Sequence, residues 1–336
     1  MEKTAIKGTD LQPTRVALGT WAIGGWMWGG SDDRESIRTI HQALDSGITT
    51  IDTAPAYGQG HSEEVIGQAL KEYGKRDDVV LATKVALDWV GTDVFRNGSK
   101  ARIKKEIDDS LKRLGTDYID IYQVHWPDPL VPIEETAEAM GELYKEGKIR
   151  AIGVSNFSVE QMDAFRKVAP IHTVQPPYNM FERDIEKDIL PYSGKRDIVA
   201  LCYGSLCRGL LSGKMTTDRK FDGDDLRKID PKFQAPRFAQ YLAAVNELKT
   251  FAEENYGKSV LALAVRWVLD QTKTGIALWG ARHPGQIAAA KEVDDFRLND
   301  DALKEIDRIL DKNIKDPVGP EFMAPPTREE FEKQHS

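Results

Sequence analysis

No run of apolar residues in the 336-residue chain is long enough to cross a bilayer, and its first stretch, MEKTAIKGTDLQ, lacks the apolar centre of a secretory leader. A cytoplasmic protein is expected. Cysteine is scarce: Cys202 and Cys207 are separated by four residues and have no histidine near them, which fits neither a metal site nor a disulfide framework. Packed, reduced thiols and no metal are expected instead. Positive charge is in deficit, with 46 Lys and Arg against 54 Asp and Glu, and no basic stripe offsets the net charge of -8. Nucleic acid and anionic membrane surfaces are therefore disfavoured as partners. The first 310 residues also lack a Pro/Ser-rich linker or low-complexity block that would separate two domains.

What is present is ample core material, 40% hydrophobic residues beside 30% charged ones. Short apolar or β-branched runs recur: RVALG (15 to 19), TTID (49 to 52), VVLATKV (79 to 85), YIDIYQV (118 to 124), AIGVS (151 to 155), TVQPP (173 to 177), IVALCY (198 to 203) and GIALW (275 to 279). Amphipathic segments lie between them. In SKARIKKEIDDSLKRLG, Ile103, Ile107, Leu111 and Leu114 repeat at helical spacing after a Ser99 cap. In PIEETAEAMGELYKEGK, Ile133, Ala137, Met140 and Leu143 face inward and Gly147 stops the helix. Strand and helix alternating through one chain of this length points to a (β/α)8 TIM barrel over residues 1–312. Residues 313–336 are left as a Pro-rich C-terminal segment, either folded over the barrel mouth with Phe322 and Met323 inward or loose.

A barrel places its chemistry just past the carboxyl ends of its strands. Asp52 ends the second strand candidate and Tyr57 follows in the loop; Lys84 lies near the end of the third, and His125 directly follows the fourth. Singly, a lysine that snorkels or a histidine in a core explains each. Together, on neighbouring strands, they put a carboxylate, a phenol, an ammonium and an imidazole in one site. An ammonium about 4 Å from the phenol, at an effective dielectric near 20, favours the phenolate by roughly 4 kcal/mol, or nearly three pKa units, against the opposing cost of burial. The expectation is that Asp52 keeps Lys84 charged, Lys84 lowers the proton affinity of Tyr57, Tyr57 protonates a developing alkoxide and His125 orients the carbonyl oxygen.

Carbonyl reduction needs a hydride from a cofactor. GQGHSE offers Gly58 and Gly60 but no third glycine, so it is a turn and not a dinucleotide fingerprint. CYGSLCRGLLSGK (202 to 214) and WGARHPGQ (279 to 286) follow the last two strands, where barrels hold phosphate; otherwise they are ordinary glycine turns.

The ordered set LGTWAIGG, IDTAPAYGQGHSEEVIG, LATKV, VHWPD, IGVSNF, VQPPYNMFER, YGSLCRGLLSGK and WGAR, spread over essentially the whole chain, resembles the aldo-keto reductase superfamily. Its style is similar to the bacterial general stress and inositol-operon reductases. The resemblance implies a tetrad of Asp52, Tyr57, Lys84 and His125 and a bound NADPH (NADP+), with NADH also possible. It implies that Ser155, Asn156 and Gln175 bond the nicotinamide carboxamide and that Tyr203 stacks on the ring. It assigns Gly204, Ser205, Leu206, Cys207, Arg208 and Lys214 to the pyrophosphate side, and Gly280, Arg282 and Gln286 to the adenosine end. Thr20, Trp21 and Asp52 complete the cofactor contacts that it implies.

Some positions depart from the family pattern: Gly204 and Ser205 stand where Ser-Pro is frequent, Trp279 stands for Pro, and Ala289 and Ala290 stand for Glu-Asn. Trp21, Tyr57, His125 and Trp126 are expected to line the substrate pocket. Trp26 and Trp28 join that wall or the core. The expected partner is a small aldehyde, hydroxyaldehyde or ketone, and the chain is expected to be a monomer or weak oligomer. Two other readings stand beside reduction: a cofactor-sensing subunit of little turnover, as potassium-channel beta subunits suggest, and an NAD-linked alcohol or polyol dehydrogenase.

Overall fold

The computed structural model describes residues 1–335. Its strands are β1 (Val16–Gly19), β2 (Thr50–Asp52), β3 (Val80–Val85), β4 (Leu87–Val90), β5 (Asp93–Arg96), β6 (Ile119–Val124), β7 (Ile149–Ser155), β8 (Thr173–Gln175), β9 (Val199–Cys202) and β10 (Ile276–Gly280). All but β4 and β5 close into one barrel, in the order β1, β2, β3, β6, β7, β8, β9, β10 and back to β1. Every pairing in it is parallel. The expected (β/α)8 barrel is thus the fold, with each barrel strand within two residues of its expected span.

Side chains alternate across the barrel wall. Ala17, Ala82, Ile121, Ala151, Leu201, Ile276 and Leu278 pack together as one core, joined by Ile6 and Leu11 from the hairpin that precedes β1. The larger core lies between the strands and the surrounding helices. Two positions beyond Ala82 and Ile121 stand Lys84 and Gln123, paired in register, so the interior face turns from apolar to polar towards the carboxyl ends of the strands.

The helices form where pattern and caps agree. Helix Lys100–Leu114 starts at Ser99, whose hydroxyl accepts from the Arg102 N–H, and ends at Gly115 with φ 64°. Helix Ile133–Lys145 buries Ala137, Met140 and Leu143 before Gly147 turns left-handed; Ile133 and Leu111 are only partly buried. The turn after β2 is left-handed at Gly58, Gln59 and Gly60, and helix His61–Tyr73 follows it directly.

The hairpin of β4 and β5 has no counterpart in the strand pattern. Its antiparallel strands stand over the barrel after β3. Helix Arg328–His335 packs on it: the Phe331 ring stacks on Phe95 at 4.7 Å, and the Arg96 N–H donates to the Pro326 carbonyl. Among the described residues no helix is long and apolar enough to cross a membrane.

Candidate active site

Strand ends bring the four expected groups together. Asp52 is the last residue of β2, Lys84 is the fifth residue of β3, and His125 directly follows β6. Lys84 Nζ donates to Asp52 Oδ2 at 2.6 Å, to the Thr53 carbonyl at 2.8 Å and to the Tyr57 hydroxyl at 3.3 Å. Lys84 is wholly buried, and all three ammonium hydrogens have an oxygen to meet. Tyr57 and His125 remain partly open, with their rings edge to face at 5.8 Å. On its other side Tyr57 stacks on Trp21, also at 5.8 Å.

Electrostatics in this cluster run against one sequence expectation. The Tyr57 phenol is pushed well above its ordinary range by burial and by the Asp52 charge, not drawn down by Lys84. The geometry supplies the reason: Asp52, in closer contact with the ammonium than the phenol is, cancels most of the field that Lys84 would exert on Tyr57. Burial lowers the proton affinity of Lys84 while Asp52 opposes that shift. Burial, followed by the Lys84 charge, holds His125 well below the imidazole range, so this ring is neutral at physiological pH. A protonated phenol and a neutral imidazole therefore face the same opening.

The second oxygen of Asp52 is held from the opposite wall. Gln123 Nε2 donates to Oδ1 at 3.1 Å and Gln175 Nε2 at 2.8 Å, and Gln175 Nε2 also reaches Gln123 Oε1 at 3.0 Å. Gln123 is a site residue that the sequence did not signal, since a lone amide in an apolar strand carries no motif. Its space comes from the neighbouring strand, where a Cβ at Gly153 would stand 2.6 Å from Gln123 Cγ. Both N–H groups of Gln175 are committed inward, which leaves its Oε1 for a ligand donor.

Ser155, Asn156, Gln175 and Tyr203 line the same cavity as Tyr57 and His125. Ser155 Oγ donates to the Gln175 carbonyl at 2.8 Å, Asn156 Nδ2 donates to the His125 carbonyl at 3.1 Å, and the Tyr203 hydroxyl donates to Asn156 Oδ1 at 2.9 Å. Asn156 is left-handed, φ 60°, a conformation that asparagine tolerates. Trp21 lines the cavity too, and its buried indole N–H has no partner among the described residues. Amides, a hydroxyl, an unclaimed donor and a tyrosine ring in one wall fit a flat ring bearing a carboxamide. Thr20 serves the scaffold: its hydroxyl donates to the Asp52 carbonyl at 2.9 Å and receives a bond from Ser62 Oγ, also at 2.9 Å.

The cavity of about 450 Å³ is walled by Trp21, Trp26 and Trp126 on the barrel side and by Phe322, Met323 and Phe331 from the C-terminal segment. Trp28 is not in this wall; it meets Trp21 edge to face at 5.8 Å and lies under the Arg227 guanidinium.

The glycine-rich segments occupy the rim after β9 and β10. Gly204 turns with φ 69° and Leu206 is half-buried, but Ser205 is buried with its hydroxyl on the Cys202 carbonyl. Lys214 is exposed. Two residues assigned to a phosphate loop turn their side chains inward. The Cys207 thiol is fully buried and free, and the Arg208 guanidinium turns inward to Glu182 and Asp230, so neither side chain is presented to a ligand. After β10, Gly280 is exposed with open space about it. Arg282 Nη1 donates to the Trp28 and Gly30 carbonyls at 2.9 and 3.0 Å, and burial, then Arg227, lowers its proton affinity. Gln286 Oε1 accepts from the Arg282 and His283 N–H groups, opening a single helical turn, Pro284–Ile287.

The aldo/keto reductase family model matches residues 15–311. The chain belongs to that family. Aldo-keto reductase YhdN of Bacillus subtilis (strain 168) is 65% identical over 331 residues, which are 98% of this chain and 100% of that protein. A glycerol dehydrogenase, AKR11B4 from Gluconobacter oxydans, superposes with a TM-score of 0.87 at 56% identity, covering 96% of this chain and 99% of that one. An aldo/keto reductase from Klebsiella pneumoniae, solved in complex with NADP and acetate, superposes with a TM-score of 0.71 at 29% identity, covering 95% and 100%. As an aldo-keto reductase the chain is an oxidoreductase of carbonyl and CH–OH groups, acting on small carbonyl substrates.

Within this reductase, sequence motifs located the polar rim but not what holds it. Gln123 and Asp230 lie outside every motif, and Gly153 and Glu182 lie within IGVSNF and VQPPYNMFER without any sign of what they contact, because their partners are distant in sequence.

Proposed function

We propose that this chain reduces small aldehydes, hydroxyaldehydes and ketones to alcohols with NADPH, and that Tyr57 is the general acid. The observation that carries the reading is Lys84 Nζ placed 2.6 Å from Asp52 Oδ2 and 3.3 Å from the Tyr57 hydroxyl. A bound nicotinamide supplies hydride to the carbonyl carbon. The carbonyl oxygen, becoming an alkoxide, takes the Tyr57 proton; Lys84 stabilises the phenolate left behind, and Asp52 keeps Lys84 charged while buried. The neutral His125 orients the carbonyl oxygen by donating to it. Ser155, Asn156 and Gln175 would hold the carboxamide, with Tyr203 against the ring. Arg282, on the rim after β10, would meet a 2′-phosphate, and that assignment is the basis for preferring NADPH to NADH.

A second reading, oxidation of a polyol such as glycerol, is favoured by the 56% identical glycerol dehydrogenase. It uses the same groups in reverse, with the Tyr57 phenolate as base. Purified protein supplied with NADPH and a panel of aldehydes, and separately with NADP+ and glycerol, tests both. The proposal expects aldehyde-dependent loss of NADPH absorbance well above that of Tyr57→Phe; no aldehyde-dependent loss in either protein would favour a cofactor sensor.

A further inference from the structure

Four charged side chains meet inside the wall beside the carbonyl cavity. Glu182 Oε1 receives Lys232 Nζ at 2.8 Å and the Arg208 guanidinium, whose Nε turns to Asp230. Glu182, Arg208, Asp230 and Lys232 are all buried, and their formal charges cancel. They come from separate segments: Glu182 from the turn after β8, Arg208 from the loop after β9, and Asp230 and Lys232 from the cap and first turn of the short helix Pro231–Phe233. Arg208 itself is left-handed, φ 54°, so the cluster holds the loop after β9 in a conformation that few residues adopt freely.

Buried ion pairs of this kind rarely contribute much net stability, because the cost of desolvating them offsets most of their attraction. Here the outer end of the cluster is attached to the C-terminal segment. Lys232 Nζ donates to the Gly319 carbonyl at 3.0 Å, and the Arg208 guanidinium lies over the Phe322 ring at 5.6 Å. The Val318 N–H meets the Tyr241 hydroxyl beside them at 3.4 Å. Three residues on from Gly319, Phe322 and Met323 form one wall of the cavity that Tyr57 and His125 face.

We propose that Lys232 is a positioning residue for substrate specificity: anchored by Glu182, it clamps the Gly319 carbonyl and so holds Phe322 and Met323 as a fixed wall of the carbonyl pocket. The consequence for substrate choice rests on the proposed reductase activity, but the clamp itself does not. A carbonyl compound with a bulky apolar body, such as benzaldehyde, would need that wall, whereas glycolaldehyde is too short to reach it.

The test uses the full-length protein as Lys232→Met, as Lys232→Arg, and as the charge-balanced pair Lys232→Met with Glu182→Gln, which leaves no unpaired buried charge. Hydrogen exchange is read first, without substrate. The Met323 and Ala324 amides, bonded to the Pro320 and Glu321 carbonyls, should exchange at least about tenfold faster in the balanced pair, with the barrel strands unchanged. KM for benzaldehyde should rise about tenfold with kcat and the glycolaldehyde KM nearly constant, and Lys232→Arg should restore both readouts. Unchanged exchange at 323–324 overturns the clamp, as does faster exchange spread over the whole barrel. Faster local exchange with an unchanged benzaldehyde KM overturns the specificity role. If the wild-type protein reduces neither aldehyde, the reductase proposal fails, while the exchange result still decides the clamp.

Discussion

Lys84 Nζ stands 3.3 Å from the Tyr57 hydroxyl and closer still, 2.6 Å, to Asp52 Oδ2. The ion pair offers the phenol little help while its proton is in place. What remains is local: although Asp52 cancels most of its field, the ammonium still donates to the Tyr57 oxygen, so a phenolate there costs less with Lys84 than with a neutral group in its place. This is stabilisation of charge that develops during the reaction.

Lys84→Met removes that stabilisation. Turnover of an aldehyde should fall by about 10²- to 10⁴-fold, the range of a lost acid–base contribution, while NADPH affinity, measured by fluorescence titration, changes little. The variant should also lose about 3–5 kcal/mol of stability in urea unfolding, since Asp52 is left buried with only Gln123 and Gln175 as partners. Wild-type turnover in a folded variant would remove the ion pair from the mechanism.

Two imidazoles make stability depend on pH. Burial and the Lys84 charge hold His125 low; burial also lowers His172, whose Nδ1 must stay unprotonated to accept the Ile152 N–H. Below about pH 6.5 the unfolded chain binds protons there that the folded chain does not. Stability should therefore fall as pH drops from 6.5 to 5.5, by up to about 1.4 kcal/mol per unit for each imidazole. Urea titrations at the two pH values check this, and His125→Gln should flatten the dependence. An equal slope in that variant would contradict the assignment.

Gly24→Ala should damage catalysis without touching a reacting group. A Cβ there would stand 2.6 Å from the Tyr57 carbonyl carbon and 2.9 Å from Tyr57 Cβ, so the backbone that carries the phenol must move. A displacement of that kind is expected to lower turnover by about 10²-fold with the fold retained. Gly194→Ala, in a helix with open space around the added methyl group, is the control and should leave turnover unchanged.

Arg282→Ala tests the cofactor preference. The NADPH dissociation constant should rise by about tenfold or more while that for NADH moves by less than about twofold, as the loss of one charge-assisted phosphate contact requires. Because Arg282 also bonds the Trp28 and Gly30 carbonyls, equal weakening for both cofactors would assign it to loop packing instead.

The barrel was legible because its signals are periodic. Apolar runs such as YIDIYQV mark strands, and Ser99 and Gly115 bracket a helix whose apolar residues recur at helical spacing. Asp52, Tyr57, Lys84 and His125 were legible as polar residues at the ends of such runs, where topology alone brings them together. The β4–β5 hairpin was not, since its four-residue strands mix polar and apolar residues without regular alternation. Nor was the inward turn of Arg208, which depends on carboxylates 26 and 22 residues away. The upward shift of Tyr57 was missed for a similar reason: the sequence shows a lysine near a tyrosine but not which of its neighbours the lysine is closest to.

The most direct test of the account is the rate of NADPH consumption by Tyr57→Phe with an aldehyde that the wild-type protein turns over. The phenyl ring keeps the stacking on Trp21 and the edge contact with His125 and loses only the hydroxyl. The rate is expected to be at least about 10²-fold lower, with NADPH binding within about twofold of wild type. A variant that reduces the aldehyde at the wild-type rate would show that the proton comes from elsewhere.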